Sequence, residues 1–422
     1  MSRCIPLAVA LAIYSAIALL PLPPQLGLAM RHQPAIALGL VLLTYPICQR
    51  WKKYTGAIEL GLVLILMALP LSGLWNSATS EYPTLMAGLF PLTDGSNYYT
   101  DARRVLAGGS LNVVSSSRPL FPGVLTTLLA VSGQNLQWSV AALGAIAGIA
   151  LWVLIREIRQ TLGTPSAWGS LLGVVWFYRR FIGTVWTEHW GLTLGAVAAA
   201  MLWRSIHRRQ LSLFLGGLLV LTLGLTARAG AFLVLPALIG WGSWFFRELR
   251  AGRVAVAGLA MVAIAFLLNQ AVLNAIGRPE LAFSNYAYTV YAQVVNSSDW
   301  RQVLIDHPEV AGLPQPALSQ QIYALALQAF LDQPLAVVQH ALRAWLTYLS
   351  PTAEGLWGFL ATYGATPVTT VLLGMMYLLS AIGGVVCLRE FTPLQQITLV
   401  AWLGVLASFP LCLRGWMVSP RR

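Results

Sequence analysis

Residues 55 to 76 read TGAIELGLVLILMALPLSGLWN, twenty-two positions with one acid, Glu59, and no base. A run this long and apolar can satisfy its backbone inside hydrocarbon only as a helix, and about 20 residues suffice to cross a layer roughly 30 Å thick. Similar runs recur along the chain. With 57% hydrophobic and 9% charged residues over 422 positions, the protein falls far below the roughly 25% charge of a soluble domain. The expected fold class is all-α and integral to the membrane.

Working outward from this run, about eleven transmembrane helices are expected, near residues 5–29, 34–49, 55–76, 136–155, 165–182, 186–203, 211–227, 229–246, 252–275, 366–388 and 396–413. The first begins after only Met1, Ser2 and Arg3 and ends among Pro21, Pro23 and Pro24 without a small-residue cleavage pattern, so it reads as a retained signal anchor. The segment from Arg118 to Gly133 is apolar but short and reads as re-entrant or surface-lying. Residues 340–362, interrupted by Pro351 and Glu354, belong at the outer surface.

A net charge of +12 would suggest nucleic acid in a soluble protein; here it must first be divided by side of the membrane. Basic clusters at Arg50, Lys52 and Lys53, at Arg156 and Arg159, at Arg204, Arg208 and Arg209, and at Arg247, Arg250 and Arg253 fall in short links, which the positive-inside rule makes cytoplasmic. Ten of the fourteen carboxylates then lie outside, with two large loops, 77–135 and 276–340, on that same face. Cys4, Cys48, Cys387 and Cys412 show neither a disulfide framework nor zinc spacing.

The second loop reads as a folded cap. Its segment 319–345, SQQIYALALQAFLDQPLAVVQHALRAW, has apolar side chains at helical spacing, with Pro334 dividing two helices that would lie along the membrane surface. Asn296, Ser297 and Ser298 match a glycosylation sequon, which matters only in a eukaryotic secretory compartment.

The first loop holds the polar residues. In LTDGSNYYTDARRVLAGG, residues 92–109, Asp94 precedes a short helix and could simply cap it. Glu188 stands between Trp186, His189 and Trp190 at a tight link. It could orient an arginine or a sugar, or be a solvated acid in an aromatic belt, the setting in which His189 also reads better than as a metal ligand.

The order Asp94, Tyr98, Tyr99, Ala102, Leu106, Gly108, then Arg118, Pro119, Phe121 and Pro122, resembles the first outer loop of the GT-C superfamily of membrane glycosyltransferases, of the bacterial protein mannosyltransferase or aminoarabinose transferase type. TVWTEHWGLTLG, with Thr187 and Glu188, resembles a Thr-Glu segment of that family. LTARAGAFLVLPAL resembles a Leu-Thr-Arg-Pro segment, with Arg228 kept and Ala229 in place of proline. The resemblance spans about residues 54 to 413.

It implies inverting sugar transfer from a polyprenyl-phosphate donor to a lipid, glycan or protein acceptor, on the outer face of a bacterial cytoplasmic membrane. That chemistry needs a carboxylate to take the acceptor proton and cations to hold the departing phosphate. Asp94 fits the base, and Arg118 and Arg228 the phosphate, with Arg103 and Arg104 as further phosphate ligands. Tyr98, Tyr99, Asp101 and Glu188 are the candidate sugar or acceptor contacts. A divalent metal could be shared by Asp94, Asp101 and Glu188 only if folding gathers them. Two other classes compete: a transporter or lipid flippase, and a non-catalytic assembly subunit that keeps the fold.

Overall fold

The computed structural model describes residues 5–20, 23–32, 34–75, 85–86, 90–91, 94–179, 181–227, 230–352, 355–360 and 367–411. Its helices are α1 Ile5–Leu19, α2 Pro24–His32, α3 Pro34–Arg50, α4 Thr55–Trp75, α5 Asp94–Leu106, α6 Val113–Ser116, α7 Leu120–Val131, α8 Leu136–Tyr178 and α9 Thr187–Arg208. They continue as α10 Leu211–Ala227, α11 Val234–Phe245, α12 Ala251–Ile276, α13 Ser284–Val294, α14 Gln302–Asp306, α15 Ala317–Asp332, α16 Pro334–Tyr348, α17 Pro367–Glu390 and α18 Pro393–Ser408. Among the described residues, the sole sheet pairs β1, Leu85–Met86, with β2, Phe90–Pro91, antiparallel.

The expected helical class therefore holds, but the count of eleven spans does not. Among the described residues, three helical stretches are long and apolar enough to cross a membrane: Lys52–Ser72, Leu136–Tyr178 and Ala251–Ile276. A fourth arises if Gln25–Arg31 and Ile36–Arg50, bent by 88°, form one broken span. The helices α1, α7, α10, α11 and α18 are apolar but only 12 to 17 residues long. At 1.5 Å per residue they reach about 18 to 26 Å, short of the roughly 30 Å hydrocarbon layer.

Boundaries differ at two instructive places. The first helix stops at Leu19 instead of running to 29, because the proline-rich stretch after it cannot continue the ladder; α2 then starts at Pro24. The expected helices 136–155 and 165–182 are both present within α8, but the link between them shrinks to a kink at Gly163, whose φ of 84° and ψ of 172° suit glycine alone, with Pro165 two residues on. Arg156 and Arg159 thus sit within a helix, not in a link.

The chain divides into two compact units. One comprises Met1–Leu111, Pro119–Arg228 and Ile264–Val272; the other comprises Asn112–Arg118, Ala229–Ala263 and Leu273–Arg422.

In the first unit small residues set the helix spacing. On α8, a Cβ at Gly144 would lie 2.7 Å from the Tyr14 hydroxyl, and one at Gly148 would lie 3.0 Å from Leu64. This Gly-xxx-Gly step lets α1 and α4 close onto α8, and Tyr14 donates to the Ala141 carbonyl at 2.6 Å. Gly217 plays the same part between α10 and Leu202 of α9. Buried Glu59 (0% exposed) meets Arg159 (24%) at 2.8 Å, fastening α4 to α8, with the Trp168 indole N–H donating to the same oxygen, Oε1, at 3.4 Å.

In the second unit, α13, α14 and α15 share a core of Ala287, Tyr291, Val303, Val310, Ile322 and Ala326. Tyr291 donates to Asp306 at 3.0 Å, and burial together with that carboxylate pushes its phenol up to about 12. Pro334 does separate two helices, as its spacing predicts. Both turn apolar side chains outward: Leu327, Leu331, Leu335, Val338, Leu342 and Leu346 recur every three or four residues and all are exposed. The far end of α16 is tied to α18, where the Trp345 indole donates to the Leu406 carbonyl at 2.8 Å.

Candidate active site

The candidate residues of the first loop sit on α5. Its polarity suits its sequence, with Asp94 in the first turn and Arg103 and Arg104 in the last, each charge opposing the local end of the helix dipole. Asp94 is itself the first helical residue rather than the one before it. The other end closes as a Schellman turn: Gly108, at φ 85°, donates to Val105 at 3.0 Å, and Gly109 reaches back to Arg104 at 2.9 Å.

At about 100° per residue, α5 sorts its side chains onto two faces. Asp94, Tyr98 and Asp101 share one. Tyr98 is buried edge-on against Phe121 of α7, with ring centroids 5.7 Å apart. Asp101, also buried, accepts from Arg104 at 2.7 Å. The segment expected to be re-entrant or surface-lying is thus α7, too short to span, packed on α5. Tyr99 and Arg103 share the other face, the guanidinium lying 5.8 Å from the centre of the Tyr99 ring. Adjacent in sequence, the two tyrosines therefore serve different surroundings, and Arg103 turns away from Asp94.

Arg118 is half-buried in the turn before α7, where its backbone N–H donates to Ser115 at 3.1 Å. Arg228 lies outside the described residues. Glu188 occupies the first turn of α9 and accepts from Thr187 at 3.3 Å. Among the described residues no three of His, Cys, Asp and Glu gather where they could hold a metal, so Asp94, Asp101 and Glu188 do not form such a group.

The link between α8 and α9 departs from the expectation of an exposed belt. His189 is buried and bonded through Nδ1 to the Tyr178 hydroxyl, because the start of α9 turns its ring onto the end of α8. Two buried arginines lie at the same link. Arg179 donates through Nε to the Arg31 carbonyl at 2.7 Å and lies 4.8 Å from the Trp176 ring centre. Arg31 donates to the Ile182 carbonyl. Arg31 and Tyr178 were not singled out by sequence reasoning. The signal was a basic pair, Arg31 and His32, set between Pro24 and Pro34 in an apolar stretch.

The fold and site define a helical protein with apolar helices able to cross a membrane. No protein-family model, curated protein or solved structure matches the chain.

Proposed function

We propose that the chain is a multi-pass membrane glycosyltransferase that moves a sugar from a polyprenyl-phosphate donor to an acceptor on the outer face of a bacterial cytoplasmic membrane, with inversion. The observation that carries this reading is the placement of Asp94 on the first turn of α5, sharing a face with Tyr98 that packs on α7. A short helix opened by a carboxylate and backed by a second short helix suits a reaction at a membrane boundary, where neither helix is long enough to cross.

In this mechanism Asp94 removes the proton of the acceptor hydroxyl as its oxygen forms a bond to the anomeric carbon. The bond from that carbon to the phosphate oxygen breaks, and the phosphate leaves with the electron pair. No general acid is needed, unlike in glycoside hydrolysis. Arg118 and Arg228 hold the departing phosphate and Glu188 contacts sugar or acceptor, while Tyr98 seats the Asp94 face of α5 on α7. The outward apolar row of α15 and α16 lies in the outer leaflet boundary.

The test is transfer of labelled sugar from a panel of polyprenyl-phosphate sugars, in membranes carrying matched amounts of wild type or Asp94→Asn. Loss of a general base lowers the rate by about 10²–10⁴-fold. Equal transfer by both proteins removes Asp94 from the mechanism. Absence of transfer by either, across the panel, favours the transporter or assembly-subunit class.

A further inference from the structure

The face of α5 that looks away from Asp94 borders a hollow of about 420 Å³, lined by Tyr99, Thr100, Arg103, Arg104, Leu106 and Gln134. This lies within the volume range of small-ligand sites, roughly 300–1,000 Å³. Its cations are held in place before anything binds. Arg103 lies over the Tyr99 ring, and Arg104 is fixed by buried Asp101 at 2.7 Å. The stem of Arg104 is also braced by the Schellman turn, where a Cβ at Gly109 would come within 2.7 Å of its Cγ. Across the hollow, Gln134 sits in a tight turn at φ 64°, its N–H donating to Leu129 at 2.6 Å.

We infer that this hollow is a binding site for a phosphate ester headgroup, separate from the site of Asp94. Two guanidinium forks with a hydroxyl and a carboxamide beside them are donors suited to a tetrahedral anion with several oxygens, the geometry for which arginine is favoured over lysine. Tyr99 and Leu106 give the attached group an apolar wall. The surroundings point to a lipid as the source of the phosphate. Val131 (84% exposed) and Trp138 (53%) flank the Gln134 turn, and such side chains beside cations suit the level of the headgroups. Arg103 lies nine residues from Asp94, half a turn out of phase on the helix, so a headgroup bound there is not the one Asp94 acts on.

The experiment uses the full chain, extracted from phosphatidylcholine vesicles in which one lipid in five is phosphatidylglycerol or phosphatidic acid, with retained lipid counted by native mass spectrometry. Wild type retains the anionic lipid, and Arg103→Gln lowers its occupancy at least about tenfold, the effect of losing one charge-assisted hydrogen bond. Gln134→Ala, at an exposed turn, lowers it less. Asp94→Asn retains as much as wild type, which keeps this result independent of whether sugar transfer is ever detected. Equal retention by wild type and Arg103→Gln overturns the site, and equal loss in Asp94→Asn and Arg103→Gln overturns its separateness. A parallel titration with inorganic phosphate tests the source: binding of free phosphate without lipid retention overturns the headgroup assignment.

Discussion

The two ends of α9 handle buried charge in contrasting ways. Near its C-terminal end, around the middle of α8, charge meets charge: Glu59 pairs with Arg159, and Glu157 with Arg204 at 3.5 Å. Near its N-terminal end, the buried guanidiniums of Arg31 and Arg179 donate to main-chain carbonyls of other segments. The first arrangement offsets two ionic desolvation penalties with the attraction between the charges. The second fastens loop backbone with charged donors. A paired acid is therefore exposed to catastrophe when its partner is removed, whereas a clasped carbonyl loses a bond and remains neutral.

Substitutions rank these contacts. Arg159→Gln leaves the carboxylate of Glu59, 0% exposed, without its cation and lowers stability by about 3–5 kcal/mol. Unfolding in detergent by denaturant measures it, and the double variant with Glu59→Gln recovers most of the loss. If the double variant is no better than the single, the ion pair is not what the site protects. Arg31→Gln costs less, about 1.5–3 kcal/mol, the worth of a hydrogen bond to a charged donor. Because Arg179 is bonded to the backbone of the same residue, losses from Arg31→Gln and Arg179→Gln fall short of adding, which a double-mutant cycle reads directly. A loss for Arg31→Gln larger than that for Arg159→Gln would invert the comparison. Smallest is Arg204→Gln: its side chain is 41% exposed, and screening holds the change to about 0–1 kcal/mol.

Much of the helix placement was legible because a backbone in hydrocarbon has few choices. Apolar runs bounded by proline, glycine or arginine became helices close to where they were expected, and Pro334 separated α15 from α16. Span lengths were less legible, since a composition window does not feel where a ladder of hydrogen bonds stops. Gly163 is the sharpest case: one residue of positive φ replaces an expected nine-residue link.

At the candidate site, the helix opened by Asp94 could be read from its acid, its apolar spacing and the glycines at its end. The division of its faces could have been read too, since Tyr98 and Tyr99 differ by about 100° on any helix. Pairing them as neighbours in sequence obscured it. Arg31 could not be assigned a place from local sequence, because the carbonyl it meets is 151 residues further along the chain.

That separation has a consequence for biosynthesis. Bonds within α2 can form as soon as its residues leave the ribosome, but the Ile182 carbonyl to which Arg31 donates does not yet exist. At about 5–20 residues per second, the ribosome needs roughly 8–30 s to make the intervening 151 residues. Throughout that interval a guanidinium next to an apolar segment is kept out of hydrocarbon by its cost there. The clasp between the N-terminal helices and the stretch after α8 is therefore completed late, by a residue synthesised long after them, and a nascent chain arrested before Ile182 lacks it.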